Sequence, residues 1–190
     1  MKKLFITAFM AASMFSIAQT TWKIDGSHSK IGFDVTHLTV SEVEGRLKIY
    51  DGKIVSKSDK DFTDATIQFL GDVTSINTDD EKRDAHLKSA DFFDTDKFPK
   101  MIFTSTSMKK GAGKTYTLVG DLTIKGITKK VTFEVVYNGT TEDPWKNTKA
   151  GFVLKGTIKR SDFGVGSSTP SVIVSDDVKI DIKVELLLQK

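Results

Sequence analysis

Cysteine is absent from this 190-residue chain. That absence removes disulfide staples, thiolate nucleophiles, lipid attachment at a cysteine and every cysteine-ligated metal site together. Histidine is scarce. His28, His37 and His86 stand far apart, and no pair has the three- or four-residue spacing of a helix-borne zinc pair, so no metal ligand is expected. On a continuous strand, the odd separation of His28 and His37 puts them on opposite faces. There is no Gly-x-Ser-x-Gly elbow. Ser27-His28-Ser29 is no sign of a triad, because triads are assembled in space. The carboxylate pairs Asp79-Asp80 and Asp176-Asp177 fall at predicted cap and turn positions, where capping and solvation account for them. No catalytic residue and no cofactor is assigned, and the chain reads as a non-enzyme.

Charge of one sign is lacking too. Lys and Arg total 28 against 25 Asp and Glu, and they are interspersed, so no basic stripe for nucleic acid exists. Apolar runs are confined to the start. Leu4 through Ile17 carries no charge, follows Lys2 and Lys3, and ends at the small-x-small site Ser16-Ile17-Ala18. It falls short of the roughly 20 residues a spanning helix needs. Residues 1–18 therefore read as a cleaved secretory signal, with Gln19 first in the mature chain. Residues 19–190 read as one soluble domain that does not span a membrane. Lys2 and Lys3 supply two of the three net positive charges, so the exported protein is nearly neutral.

What is present is alternation with a period of two. Ile31, Phe33 and Val35 alternate with polar or small residues over 31–37. Val43, Leu47 and Ile49 do so over 43–50, and Ala65, Ile67 and Phe69 over 65–69. Leu118, Leu122 and Ile124 share a phase, as do Val131, Phe133 and Val135, and Phe152, Leu154 and Ile158. The clearest case is Val178, Ile180, Ile182, Val184 and Leu186 against Lys179, Asp181, Lys183 and Glu185. One face is buried and the other meets water, as in antiparallel sheets. About eight strands are expected. Asp51-Gly52 and Asn138-Gly139 carry hairpin-turn chemistry. Lys110 to Gly113 reads as a flexible hairpin loop, and Thr140 to Lys149 as a longer polar loop. A closed barrel and a sandwich both fit.

One helix interrupts the strands, at about 79–89. Thr78 and Glu81 form a Thr-x-x-Glu capping box, Asp79, Asp80 and Glu81 suit the positive helix end, and Asp84 and Lys88 are a favourable four-residue pair. Arg83, Asp84 and His86 share one turn. Either Arg83 and Asp84 bond neighbouring loops and hold the helix in place, or Arg83 or His86 borders a cavity and donates to a ligand's polar head. Phe92, Phe93 and Phe98 crowd the segment that follows, before the breaker Pro99.

The inward face is expected to hold Ile31, Phe33, Val35, Leu47, Ile49, Ile67, Phe69, Phe92, Phe93, Phe98, Leu122, Phe133, Phe152, Ile180 and Ile182. Alternation alone suits a packed core as well as a hollow one. Gly32, Gly45, Gly120 and Gly156 lie inside strands, where glycine marks a bend or a close approach, and bends let a sheet curl around an interior.

Five segments resemble the YceI-like family of bacterial polyisoprenoid-binding proteins. They are His28 to Leu38, Lys82 to Asp94, Pro99 to Phe103, Gly120 to Lys129 and Arg160 to Gly164. They stand in the family's order and are spread along the chain from His28 to Gly164. The resemblance implies an all-β, extended lipocalin-like antiparallel barrel with the fifteen inward residues lining a tunnel. It also implies, with the export signal, a periplasmic setting, and as partner an isoprenoid such as a polyprenyl quinone or another amphiphilic lipid. A homodimer is compatible with such a fold, and no sequence feature demands one. The same lumen suits a fatty acid or fatty amide. A non-lipid interaction or stress-response module with a filled core is the alternative of another class.

Overall fold

Alternation along the chain becomes one antiparallel sheet. The computed structural model describes residues 19–189, and the signal segment expected over 1–18 lies outside the described residues. The strands are β1 (Thr20–Ile24), β2 (Lys30–His37), β3 (Ser41–Leu47), β4 (Tyr50–Ser56), β5 (Thr66–Asp72), β6 (Ile76–Asn77), β7 (Lys100–Lys110), β8 (Thr115–Ile124), β9 (Ile127–Glu142), β10 (Thr148–Lys159) and β11 (Val174–Leu188). One helix, α1 (Glu81–Lys88), joins β6 to β7. In space the order is β1-β4-β5-β7-β8-β9-β10-β11. β11 then pairs back onto β1 through Trp22↔Leu188 and Ile24↔Leu186. Closure covers the strand edges where β1 lies between β4 and β11. The expected barrel is thus the observed one, with β2, β3 and β6 added beyond it.

Those additions hang from β11. Its last residues hold β1, while its earlier residues hold β2, from Val178↔Val35 to Lys183↔Lys30. β3 pairs with β2, and the short β6 with β3. The three strands form a flap that continues the barrel wall at one end. Register carries the apolar phase from strand to strand: Leu154↔Ile182 leads to Ile182↔Ile31 and then to Ile31↔Leu47.

An aromatic group closes the other end. Trp22 is fully buried and lies 5.5 Å from Phe62, which meets Phe152 edge-on at 4.7 Å and Tyr137 at 5.4 Å. Their polar atoms are satisfied. Trp22 Nε1 donates to Ser56 Oγ at 2.9 Å, and Tyr137 Oη shares a 2.6 Å hydrogen bond with Thr140 Oγ1.

Several local expectations need correction. The strand expected over 43–50 is two strands, because Lys48 and Ile49 form the β3–β4 turn. Their backbone N–H groups both donate to Ser75 Oγ, at 3.1 and 2.9 Å. Asp51-Gly52 is no hairpin; it lies within β4, paired with Leu70 and Phe69. Gly52 is small there because Ile24 occupies the place of its side chain, 2.5 Å from where a Cβ would sit. Asn138-Gly139 lies within β9, where Asn138 is the extra residue of a bulge: Gly139 pairs with Gly151 and Tyr137 with Phe152. The tight turn forms instead at Lys125-Gly126, both at positive φ, between β8 and β9. The hairpin loop at Lys110 to Gly113 is as expected, and the polar β9–β10 loop shortens to residues 143–147. The capping box does not form. Asp80 is the N-cap, accepting from the Arg83 N–H at 2.9 Å.

Of the in-strand glycines Gly32, Gly45, Gly120 and Gly156, the last three admit aromatic rings, while Gly32 faces the Asp181 carbonyl of β11. A Cβ at Gly45 would lie 2.2 Å from the ring of Phe33, at Gly120 2.4 Å from Phe103, and at Gly156 2.7 Å from Phe133. Each ring lies across a bare backbone on the neighbouring strand, an arrangement known to support glycine in sheets. Gly120→Ala should therefore lower stability by about 1–3 kcal/mol, the usual cost of overpacking. Gly26→Ala, with nothing within 4 Å, should leave it unchanged or slightly raised. Thermal unfolding of the two variants checks the contrast, and equal melting temperatures would refute it.

Candidate ligand cavity

The barrel encloses a cavity of about 510 Å³. Small-molecule sites span roughly 300–1,000 Å³. Of the residues expected to face inward, Ile31, Phe33, Val35, Leu47, Ile67, Phe69, Phe92, Phe93, Leu122, Phe133, Phe152, Ile180 and Ile182 line it. Ile49 and Phe98 do not. Ile49 sits on the β3–β4 turn and is 60 % exposed, because the turn breaks the alternation that begins in β3. Phe98 packs outside the cavity, its ring 3.0 Å from where a Cβ at Gly126 would stand. Its N–H donates to Asp94 O in a turn, and a turn has no strand phase to direct the ring inward.

Leu118, Val135, Val184 and Leu186, which share the apolar phases of their strands, also line the cavity, as does Phe103 on β7. Phe62 and Val165 come from loops and Phe163 from a 3-10 turn (Arg160–Phe163), where no strand period signals them. Apart from Gln68 on β5, the polar residues around the cavity are His37, Thr78, Arg83, His86, Arg160 and Thr169. They gather around α1, the β2–β3 tip and the segment between β10 and β11. Here the wall is half-exposed at Phe33, Val35, Val43, Val178 and Ile180, so this end is the mouth.

Most of these polar groups serve the fold. Arg83 donates through Nε to Thr78 Oγ1 and through Nη2 to Thr78 O, both at 2.7 Å. Asp84 is buried and accepts from the Thr78 N–H at 2.8 Å, the Thr78 hydroxyl at 2.6 Å and the Asn77 amide at 3.2 Å. The helix is thereby tied to the strand before it. Burial pushes the Asp84 carboxyl up, but the Thr78 and Asn77 hydrogen bonds together outweigh it and hold the carboxyl below its usual range. His86 stands edge-on to Phe92 at 4.9 Å, with Nε2 3.4 Å from Asp91 Oδ2. Arg83 and His86 both border the cavity as well.

Arg160 is the residue whose role the sequence concealed. It is 7 % exposed and donates five hydrogen bonds, all to backbone carbonyls. Nε reaches Ser175 O, Nη1 reaches Val165 O and Gly166 O, and Nη2 reaches Thr169 O and Val174 O, at 2.5–3.1 Å. Every guanidinium donor is used, so Arg160 shapes the mouth and has none left for a ligand. Phe92 braces the same loop, its ring 2.7 Å from where a Cβ at Gly166 would stand.

Among the described residues, Asp25, His28 and Glu185 bring three potential metal-ligating atoms within 4.8 Å of one another. The Lys149 ammonium already bonds Asp25 Oδ2 at 3.1 Å and Glu185 Oε1 at 2.6 Å, which gives that group its countercharge.

The YceI-like domain family matches residues 22–186. The chain belongs to the YceI-like family. A protein YceI from Shigella flexneri is 37 % identical to it, with all of both chains covered. Burkholderia cenocepacia BcnA superposes with a TM-score of 0.76 at 26 % identity, covering 85 % of this chain and 98 % of that one. A polyisoprenoid binding domain from Saccharophagus degradans, implicated in plant cell wall breakdown, has a TM-score of 0.65 at 14 % identity, covering 88 % and 98 %, a likeness of fold.

Two outcomes follow from the mouth's construction. Arg160→Ala should cost at least about 3 kcal/mol, since hydrogen bonds to a charged group contribute roughly 1.5–3 kcal/mol each. Urea unfolding together with faster amide exchange over 161–174 checks this, and unchanged exchange there would refute it. Asp84 has a folded pKa below the ordinary 3.8 of a free aspartate, so its contribution is full above that value and drains as pH falls through the folded one. Asp84→Asn should destabilise the protein at pH 7, and the gap to wild type should narrow below about pH 4. A gap independent of pH would contradict it.

Proposed function

We propose that this YceI-like barrel binds and carries an isoprenoid lipid, a polyprenyl chain such as that of a quinone, with the hydrocarbon in the bore and the polar head at the mouth. The setting we propose is the periplasm, reached through removal of residues 1–18. The observation that carries the reading is the distribution of polarity. Apolar side chains line the bore from the aromatic plug upward, and polar groups collect at the open end. Each methylene leaving water contributes about 0.8 kcal/mol, so a long chain has ample driving force for such a bore. Rings such as Phe33, Phe103 and Phe133 offer flat apolar faces to isoprene units. The polyisoprenoid binding domain that shares this fold fits the reading. Arg83 and His86 border the mouth, and in this reading they donate to the head. A bore read by width and length accepts a fatty acid or amide by the same physics, and that is the second occupant to test.

Organic extraction and mass spectrometry of protein purified from its native envelope should return an isoprenoid. Ile182→Trp, which fills the bore at a lining position, should weaken binding of a polyprenyl quinone at least tenfold while the melting temperature stays near wild type. Extracts containing only fatty acids would transfer the assignment to that class. No extractable lipid, together with unaltered binding in Ile182→Trp, would sink it. Arg83→Ala and His86→Ala should each lower affinity for the quinone more than for a polyprene lacking a head. Equal losses for both ligands would remove these residues from head recognition.

A further inference from the structure

The β2–β3 hairpin ends in a turn whose two central residues, Leu38 and Thr39, have φ of 50° and 62°. Asn-Gly is the pair that such a turn favours, because positive φ costs other side chains strain. Here a leucine and a β-branched threonine hold it, with Leu38 50 % exposed. Strain that is retained where a relaxed sequence exists points to use of the side chains themselves.

Leu38 is not alone. Its N–H donates to Ile173 O at 2.9 Å, and His37 pairs with Val174, so the hairpin tip and the end of the β10–β11 segment form one surface. Val40 and Val172 add to it at 83 % and 61 % exposure, and Ile173 at 41 %. Ile173 also lines the cavity, which makes the outer apolar surface continuous with the bore. The surface is also free of fixed charge. Residues 35–41 and 163–175 contain no Asp, Glu, Lys or Arg in a chain that is 28 % charged. Serines and threonines fill the places between the aliphatic side chains.

We propose that this rim docks onto the surface of a lipid bilayer, Leu38, Val40, Val172 and Ile173 entering the boundary between headgroups and acyl chains. Apolar side chains favour that boundary, fixed charges oppose entry beyond it, and hydroxyls tolerate it. Absence of charge selects a neutral, zwitterionic surface over an anionic one. The docked mouth opens toward the layer in which a long hydrocarbon resides, so cargo passes without crossing water. That last step rests on the function proposed above, whereas the docking does not.

Flotation of the exported protein with phosphatidylcholine–phosphatidylethanolamine vesicles tests it, with wild type and variants compared at the same amino terminus. Wild type should float with the vesicles. Leu38→Asn/Thr39→Gly, which relaxes the turn, should melt no lower than wild type yet bind at least tenfold more weakly, and Val172→Ser should bind more weakly too. Trp145→Ala, 79 % exposed on the β9–β10 loop at the closed end, should bind as wild type does. The proposal is overturned if wild type does not float, if the rim variants bind equally, or if binding requires phosphatidylglycerol and vanishes with salt. Sedimentation showing a rim-dependent dimer that ignores vesicles would assign the surface to a second copy and overturn it too. Lipid extraction from the same samples separates the two proposals: rim-dependent flotation without a bound lipid leaves docking standing and removes the cargo.

Discussion

β11 has one long edge to offer and divides it. Over Val174–Leu188 one side is taken by β10, while the other is shared between β1 at the end of the strand and β2 before it. The division closes the barrel at one end and splays it at the other. Where β1 holds the edge, the interior is narrow enough for Trp22, Phe62 and Phe152 to fill it. Where β2 holds it, the wall moves outward into the flap, and the cavity lies behind. The void is a consequence of hydrogen-bond pairing, which cannot be repacked away by local adjustment of side chains.

Within that frame, bulky side chains keep the interior hollow by lying flat. Phe33, Phe103 and Phe133 each lie across a glycine, so their volume goes into the wall. A side chain at any of those glycines would push a ring toward the axis. The aromatic content of the chain is thus divided between a plug at one end and panelling along the sides. Alternation of large and absent side chains achieves what a uniform aliphatic lining would not, because such a lining tends to collapse onto itself.

Much of this was legible from residue type and phase. β11 and β8 announce themselves because every second residue is apolar over a long run, and eleven of the fifteen inward assignments follow strand phase to the cavity wall, with Phe92 and Phe93 reaching it from the turn after α1. The misreadings share a physical cause: a short-range signal outweighed by a long-range contact. Gly52 resembles a turn residue, yet it is small because Ile24 approaches from another strand. Thr78 resembles an N-cap, yet Arg83 and Asp84 use it to bind the helix to β6. Ile49 follows Leu47 in phase, but Ser75, a distant residue, fixes the turn between them. Arg160 carries no local pattern at all, since its partners are carbonyls up to fifteen residues away and carbonyls have no letter in a sequence.

Arg160 grips the loop by main-chain oxygens and ignores which side chains the loop displays. Shape and surface chemistry are therefore decoupled around the opening. Substitutions can change the side chains presented there while a single guanidinium preserves the outline.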